Sequence, residues 1–225
     1  TFSDVDLTTS KNLEITNTTY SRTYQVSAHI KDGTVTVHIA IRSFLADEYL
    51  ENRTNWYSGY GTSSVSSTEK TRLLGVASYL RSANSPTTST ETKNYNGNGP
   101  LSQEASGRMI FSEESYVTLN VPASYTVRDA LNSFTSNTTY FPNGFAITGS
   151  DSYIEAMGQT SSNVMGEFDC GSASGWMYTA RTSRTDVTSA LPNAGANTWP
   201  VSNGMYIDWY YTAAYGMDFG YSMFG

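Results

Sequence analysis

The two histidines of the chain, His29 and His38, are the first residues to consider for metal chemistry, because imidazole is a common metal ligand. In the hairpin predicted below they lie on the same face and diagonally across the two strands. A metal also needs a third and usually a fourth ligand, and no spacing of Cys, His or acidic residues supplies one. We therefore expect two exposed strand histidines and no metal site.

Nucleophilic and acid–base catalysis have equally few candidates. Cys170, in the segment EFDCGSASG, would act as a nucleophile only beside a positioned base, and a small residue in a Gly/Ser loop is the simpler interpretation. The pairs Asp47-Glu48 and Glu113-Glu114 are better explained as solvated acids than as a glycosidase dyad, because adjacent strand residues point to opposite faces. No serine-hydrolase, zinc-protease or phosphate-loop motif is present. The sequence therefore predicts a non-catalytic protein without a cofactor.

Aromatic side chains are the remaining candidates for binding. Trp176 and Tyr178 alternate along one predicted strand, and Trp209 and Tyr211 alternate along another, so each pair shares a face. Core packing explains such pairs without a ligand, and an exposed aromatic face for a flat ligand or a glycan is the alternative. These four residues are the candidate ligand-binding residues.

The composition favours a β-rich, exported protein. The chain of 225 residues is rich in Ser, Thr, Tyr, Asn and Gly, and only 15% of its residues are charged. A net charge of −7 without any basic run argues against nucleic acid, since phosphate binding needs clustered Lys and Arg. No apolar run of roughly 18 residues predicts a membrane span. A start at Thr1 fits a mature extracellular protein, and a single cysteine excludes an internal disulfide.

A hairpin over residues 24–43 is the clearest local element that would position these side chains. Its sequence is YQVSAHIKDGTVTVHIAIRS, and Asp32-Gly33 is a dipeptide that favours a two-residue turn. The turn sets apolar residues opposite one another on one face. The predicted pairs are Ile30 with Val35, Ala28 with Val37, Val26 with Ile39 and Tyr24 with Ile41.

Two helices and several short strands follow the hairpin. The first helix is predicted within 66–84, with a capping box of Ser66 and Glu69. The second begins after Thr126, with Asp129 completing its cap, and a strand closed by Pro122 precedes it. Further strands are predicted near 145–148, 153–157, 176–180 and 205–211.

The order of these motifs resembles the transcobalamin-like C-terminal domain, a β-grasp family of secreted and cell-surface prokaryotic proteins. The resemblance rests on TVTVHIAIRS, on MIFSEESYVTLNVPASYTVRDAL, on GFAITG, on SGWMYTA and on VSNGMYIDWYY, and it covers 34–43 and 109–216. Two loops depart from the family. The segment TARTSRTDVTSALPNAGANTWP stands where an Asn-Gly turn is frequent, and Gly204-Met205 stands where Gly-Asp is usual.

The resemblance implies an α+β, β-rich fold with a β-grasp-like sheet and one short helix. A long insertion at about 44–108 would separate the first strands, and residues 23–225 would form a single domain. In vertebrate relatives this domain covers one face of cobalamin, so the resemblance also implies a cobalamin-like corrinoid as an alternative ligand.

Both ends of the chain carry apolar residues that one sheet and one helix do not explain. Residues 1–22 form a predicted N-terminal arm, and the chain closes on YGMDFGYSMFG. We expect both ends to contact another copy of the chain by adding a strand to an open sheet edge. The candidate subunit-contact residues are Phe2, Val5, Leu7, Leu13, Ile15, Tyr215, Met217, Phe219, Tyr221, Met223 and Phe224.

The sequence therefore predicts a self-assembling subunit of an extracellular filament, pilus-like fibre or surface array. The alternative is a secreted module that binds a corrinoid or a glycan. Three sequons, at Asn17, Asn52 and Asn137, permit glycosylation.

Overall fold

The computed structural model describes residues 16–17, 20–21, 33–43, 66–82, 111, 113–186, 191–212 and 215–216. Their fold is α+β and rich in strands, as the sequence predicts. The helices are α1 (Ser67–Arg81) and α2 (Val127–Thr135), and Glu113–Ser115 form a 3₁₀ turn. The strands are β1 (Thr16–Asn17), β2 (Tyr20–Ser21), β3 (Thr34–Arg42), β4 (Val117–Pro122), β5 (Ala146–Gly149), β6 (Ile154–Thr160), β7 (Asn163–Gly166), β8 (Gly175–Arg181) and β9 (Met205–Thr212).

A mixed four-stranded sheet in the order β4-β3-β9-β8 carries most of the core. Its two central strands, β3 and β9, are parallel, and each outer strand is antiparallel to its neighbour. The apolar alternation predicted for β3 is confirmed, since Val37, Ile39 and Ile41 are buried on one face. The strands predicted at the positions of β4, β8 and β9 are also confirmed.

The neighbours of β3 differ from those that the predicted hairpin turn requires. Val37 pairs with Leu119 of β4 on one side and with Met205 of β9 on the other. Because a strand has only two hydrogen-bonding edges, the predicted pairing of Val37 with Ala28 is wrong. The first strand of that hairpin, 24–31, lies outside the described residues.

Helix α2 begins where its cap predicts. The Thr126 hydroxyl accepts a hydrogen bond from the Asp129 backbone N–H at 3.2 Å, and the Asp129 carboxylate accepts one from the Thr126 N–H at 2.9 Å. The helix packs mainly on β3 and β4. It therefore covers one half of the apolar face of the sheet and leaves the half formed by β8 and β9 to other elements. Its buried apolar stripe is Val127, Ala130, Leu131 and Phe134.

Helix α1 is confirmed within the predicted range, but its capping box is half formed. The Ser66 hydroxyl accepts from the Glu69 N–H at 3.2 Å, whereas the Glu69 carboxylate binds Arg72. The hydrogen bond from Arg72 lowers the pKa of Glu69. The helix packs on β3, β6 and β7, so this part of the predicted insertion contributes to the core. Its fully buried stripe is Leu73, Val76, Ala77 and Leu80.

A second sheet, β5-β6-β7, is antiparallel and lies against α1 and β8. Its first two strands confirm the strands predicted near 145–148 and 153–157. The third strand was not predicted from the sequence, because Asn163 and Gly166 interrupt its apolar pattern. Gly158 permits the close pairing of β6 with β7, since a Cβ there would lie 2.1 Å from the Asn163 carbonyl oxygen.

Candidate functional site

The four predicted aromatic residues form two cross-strand pairs between β8 and β9. Trp176 lies opposite Tyr211, and Tyr178 lies opposite Trp209. The ring centroids are 5.3 Å apart in both pairs, with edge-to-face geometry in the first pair and tilted rings in the second. Aromatic pairs of this kind stabilise a fold by about 0.5–1.5 kcal/mol beyond their buried area. The predicted alternation is therefore confirmed.

A cleft of about 220 Å³ lies over this half of the sheet. Trp176, Tyr178 and Trp209 form its aromatic wall, and Ile154 of β6 and residues 191–192 and 194–196 line its other sides. The cleft exists because α2 covers the β3 and β4 half of the same face. Three of the four predicted ligand-binding residues thus line one concave site.

Tyr211, the fourth predicted residue, lies in the core behind the cleft. Its side chain is fully buried, and its hydroxyl donates to the Gly166 carbonyl at 2.6 Å and contacts Ser174 Oγ at 3.0 Å. Burial raises the pKa of Tyr211 well above its usual value. Tyr211 packs edge-to-face against Trp176 and does not line the cleft.

The two tryptophans of the cleft differ in their hydrogen bonds. The Trp176 indole N–H donates to the Met165 carbonyl at 2.8 Å and ties β8 to β7. Trp209 is only 3% exposed, and its buried indole N–H has no acceptor among the described residues. Buried donors are nearly always paired in native proteins, so the Trp209 N–H is an exception that needs a physical account.

Tyr178 holds the segment 191–200 against the sheet. Its hydroxyl donates to the Ala194 carbonyl at 2.6 Å, and desolvation raises the pKa of Tyr178 to about 12. At neutral pH Tyr178 is therefore an uncharged donor that is already engaged. The same segment binds α2, because the Ala196 carbonyl accepts from the Arg128 N–H at 3.0 Å.

Arg128 and Asp151 supply the charges of the cleft. The Arg128 guanidinium donates to Asn132 Oδ1 at 3.2 Å and to the Ser150 carbonyl at 3.3 Å. Burial lowers the pKa of Arg128, and the nearby Asp151 and Asp129 charges partly offset this effect. Within the described residues Arg128 and Asp151 form no ion pair with each other or with a third group, so both retain hydrogen-bonding capacity.

Comparisons with protein-family models, with curated proteins and with solved structures find no match to this chain. The side chains of the cleft are therefore the basis for its proposed function.

The opposite face of the sheet buries a charged cluster centred on Asp208. Arg42 Nε donates to its Oδ1 at 2.7 Å, Arg181 Nη2 donates to Oδ2, and the Tyr116 hydroxyl donates to Oδ2 at 3.1 Å. Burial by itself raises the pKa of Asp208, but the charges of Arg181 and Arg42 and the hydrogen bonds lower it below its usual value. The cluster joins β3, β8 and β9.

His38 lies at the edge of that cluster and is not the exposed residue that the sequence predicts. Its side chain is 18% exposed, its ring stacks on Tyr206 at 4.3 Å, and its Nδ1 lies 3.1 Å from Thr118 Oγ1. The prediction was wrong because β9 follows β3 in parallel and places Tyr206 beside His38. His29 lies outside the described residues.

Other candidates for chemistry are structural. Cys170 is buried in a turn, where its backbone N–H donates to Ser174 Oγ at 3.0 Å, as expected of a small loop residue. Glu113 and Glu114 are exposed, and Glu113 accepts from the Tyr206 hydroxyl. Asp47 and Glu48 lie outside the described residues. Within the described ranges no three His, Cys, Asp or Glu residues are grouped to hold a metal. Neither described helix has the length and apolarity of a membrane span.

The described parts of the two chain ends contact this same chain. Thr16 pairs with Ser21, and Asn17 pairs with Tyr20, in a small hairpin within the predicted arm. Tyr215 is 39% exposed, and its hydroxyl donates to the Ser172 carbonyl at 3.0 Å. The other predicted subunit-contact residues lie outside the described residues. These are Phe2, Val5, Leu7, Leu13, Ile15, Met217, Phe219, Tyr221, Met223 and Phe224.

Of the three sequons, Asn137 can be placed with its side chain. It is exposed just after α2, and its Oδ1 accepts from the Thr139 N–H at 2.9 Å. Asn17 lies in β1, and Asn52 lies outside the described residues.

The sequence analysis missed the polar residues of the cleft. Arg128 stands two residues after the helix cap at Thr126, and Asp151 follows the strand β5. A charged residue in the first turn of a short helix carries no local sign of the cleft beside it. The burial of Asp208 could have been predicted from the sequence, because it lies within the aromatic strand MYIDWYY. A buried carboxylate needs cationic partners.

Proposed function

We propose that this chain is a non-catalytic binding protein whose ligand, a small molecule with a flat apolar face, occupies the cleft beside Tyr178 and Trp209. The buried Trp209 N–H without an acceptor carries the proposal. An unpaired buried donor costs about 1–3 kcal/mol, which an acceptor brought to it by a bound ligand would recover. The acceptor would be a ligand atom or a water that the ligand orders.

The polar groups of the cleft favour binding over catalysis. Asp151 is the one carboxylate among the described residues that line it, so an acid–base pair is not formed there. Tyr178 is engaged with Ala194 and has a raised pKa, so it is a poor proton donor or acceptor near neutral pH.

We further infer an extracellular β-grasp domain as the setting of this site. The sheet order β4-β3-β9-β8 supports the inference. Its parallel central strands, β3 and β9, are the first and last of the four along the chain, and α2 follows β4 and precedes β8. The charge-poor, Ser- and Thr-rich composition supports an extracellular location. A corrinoid is one flat ligand that agrees with the proposal, but only part of it would fit inside a cleft of about 220 Å³.

A cleft-filling variant tests the proposal. Ala194 is exposed and lines the cleft, and only its backbone carbonyl binds Tyr178, so Ala194→Leu fills space without removing that bond. The matched control is Asn193→Leu, at the preceding exposed position outside the cleft lining. Binding is measured by saturation-transfer NMR with indole, cyanocobalamin and methyl β-D-glucopyranoside as probes.

We expect at least one probe to bind the wild type and Asn193→Leu equally and to lose binding to Ala194→Leu. If no probe binds, or if Ala194→Leu binds every probe as well as the wild type does, the proposal fails. Visible absorption of the cyanocobalamin mixture after gel filtration checks the corrinoid separately.

A second candidate is the self-assembling subunit predicted from the sequence. It is favoured by the sheet edges, because β4 and β8 each pair with one strand among the described residues and so offer an edge for strand addition. Negative-stain microscopy of the full chain and of a variant lacking residues 1–22 tests it. We expect fibres from the full chain and folded monomers from the deletion variant. Fibres from both would exclude the N-terminal arm as the donated strand, and monomers from both would exclude self-assembly.

A further inference from the structure

We propose that the ligand of the cleft is a neutral pyranose ring. This inference rests on the proposed function and names the chemical class of its ligand. It depends on two charged side chains that form no ion pair within the described residues and that lie beside an aromatic wall.

Arg128 and Asp151 are the charged groups of the cleft. Each lines the cleft, and they form no ion pair with each other within the described residues. The Nη2 nitrogen of Arg128 has no acceptor there, and neither Asp151 carboxylate oxygen has a donor. Arg128 offers only donors, and the ionised carboxylate offers only acceptors. A sugar hydroxyl both donates and accepts, so neighbouring hydroxyls of one ring can satisfy both groups.

The charges also argue against ionic ligands. An anion that binds Arg128 would lie close to Asp151 and Asp129, in a chain with a net charge of −7. A cation that binds Asp151 would meet the Arg128 guanidinium. A neutral ligand with hydroxyl groups avoids both repulsions.

The wall provides the apolar half of the site. One face of a pyranose presents mainly C–H groups, which pack on aromatic rings such as Tyr178 and Trp209. The ring oxygen or a hydroxyl can then accept from the Trp209 N–H, which has no other acceptor among the described residues. A flat aromatic hydrocarbon would cover the wall but would offer no hydrogen bond to Arg128 or Asp151.

The size of the cleft agrees with one ring. Its volume of about 220 Å³ is below the range of about 300–1,000 Å³ that is usual for drug-sized ligands. A single sugar ring suits this volume, whereas a corrin macrocycle is too large to fit wholly inside it.

Matched probes test the inference by calorimetry or saturation-transfer NMR. The neutral probes are the methyl glycosides of glucose, galactose and mannose. Methyl β-D-glucuronide adds one negative charge to the glucose ring, and indole supplies a flat face without hydroxyls. The variants are Asp151→Asn and Arg128→Gln, and Glu114→Gln is the control because Glu114 is an exposed carboxylate outside the cleft lining.

We expect at least one neutral methyl glycoside to bind more tightly than the glucuronide and indole. Asp151→Asn and Arg128→Gln should each weaken that binding by about tenfold, because each removes hydrogen bonds to a charged group, while Glu114→Gln should leave it unchanged. Binding of indole or the glucuronide in preference to every neutral glycoside overturns the inference and leaves the proposed function intact. Glycoside binding that neither cleft variant weakens also overturns it. If no probe binds the wild type, or if Ala194→Leu binds every probe as well as the wild type does, the proposed function itself is overturned.

Discussion

The indole rings of Trp176 and Trp209 point to the same face of neighbouring strands, yet among the described residues only Trp176 has a hydrogen-bond acceptor. The Trp176 N–H is bound to the Met165 carbonyl, and the Trp209 N–H is buried without an acceptor in the described part of the chain. One tryptophan therefore anchors two sheets to each other, while the other lines the cleft and has a buried donor without an acceptor among the described residues. The two tryptophans should therefore contribute differently to the free energy of unfolding.

Replacing Trp176 by Phe should destabilise the protein more than replacing Trp209 by Phe. Both changes remove similar ring volume, but Trp176→Phe also leaves the Met165 carbonyl without its donor, whereas Trp209→Phe removes an unpaired group. We expect a difference of about 1–3 kcal/mol in the free energy of unfolding, measured by urea denaturation. Equal losses, or a larger loss for Trp209→Phe, would contradict the hydrogen-bond assignment.

Asp208→Asn should reduce stability and flatten its dependence on pH. The change leaves buried Arg42 and Arg181 facing a neutral side chain, at a cost of about 3–5 kcal/mol. The pKa of Asp208 in the folded protein lies below its usual value, so its contribution is present above the unfolded pKa of about 4 and is lost as pH falls through the folded pKa. The wild type should therefore lose stability on acidification more steeply than Asp208→Asn does.

Denaturant unfolding between neutral pH and about pH 3 measures this difference. Glu114→Gln serves as the control, because Glu114 is exposed and its removal should leave the pH slope close to that of the wild type. Parallel slopes for the wild type and Asp208→Asn would show that the carboxylate of Asp208 does not depend on its two arginines.

Tyr178→Phe should loosen the segment 191–200 while preserving the aromatic wall. The change removes only the hydroxyl that donates to the Ala194 carbonyl, so we expect a loss of about 0.5–1.5 kcal/mol in stability. Hydrogen exchange should become faster in that segment, and probe binding in the cleft should weaken. Tyr140→Phe is the matched control, because the Tyr140 ring packs on Phe134 and its hydroxyl has no partner among the described residues. Unchanged exchange in Tyr178→Phe would mean that the bond does not hold the segment.

Thr126→Ala should weaken the start of α2. Thr126 and Asp129 satisfy each other's backbone N–H groups, and loss of such a cap typically costs about 1 kcal/mol. Ser136→Ala, at the other end of the helix, removes only an exposed bond to the Ser133 carbonyl and should cost much less. Thermal and urea unfolding of both variants measures the difference, and equal costs would argue against the capping box.

Local patterns predicted many of the elements. Helix caps at Ser66 and Thr126 and the alternation of apolar residues in β3 and β9 depend on residues within a few positions of one another. The sequence therefore located α1, α2, β3 to β6, β8 and β9, and it paired the faces of the cleft aromatics correctly. It did not locate β7, whose Asn and Gly residues break the apolar pattern.

Long-range pairing decided the rest. The Asp32-Gly33 turn predicted a local partner for β3, but β9 binds one edge of that strand from about 170 positions away, and β4 binds the other. This pairing of β3 places Asp208 between Arg42 and Arg181 and places Tyr206 beside His38. It also leaves the β8 and β9 half of one face uncovered by α2. The sequence by itself determined which residues are aromatic, apolar and capping. Only the tertiary structure decided that three of the aromatics face a cleft and that the Trp209 N–H has no acceptor there, because both depend on how separate segments pack together.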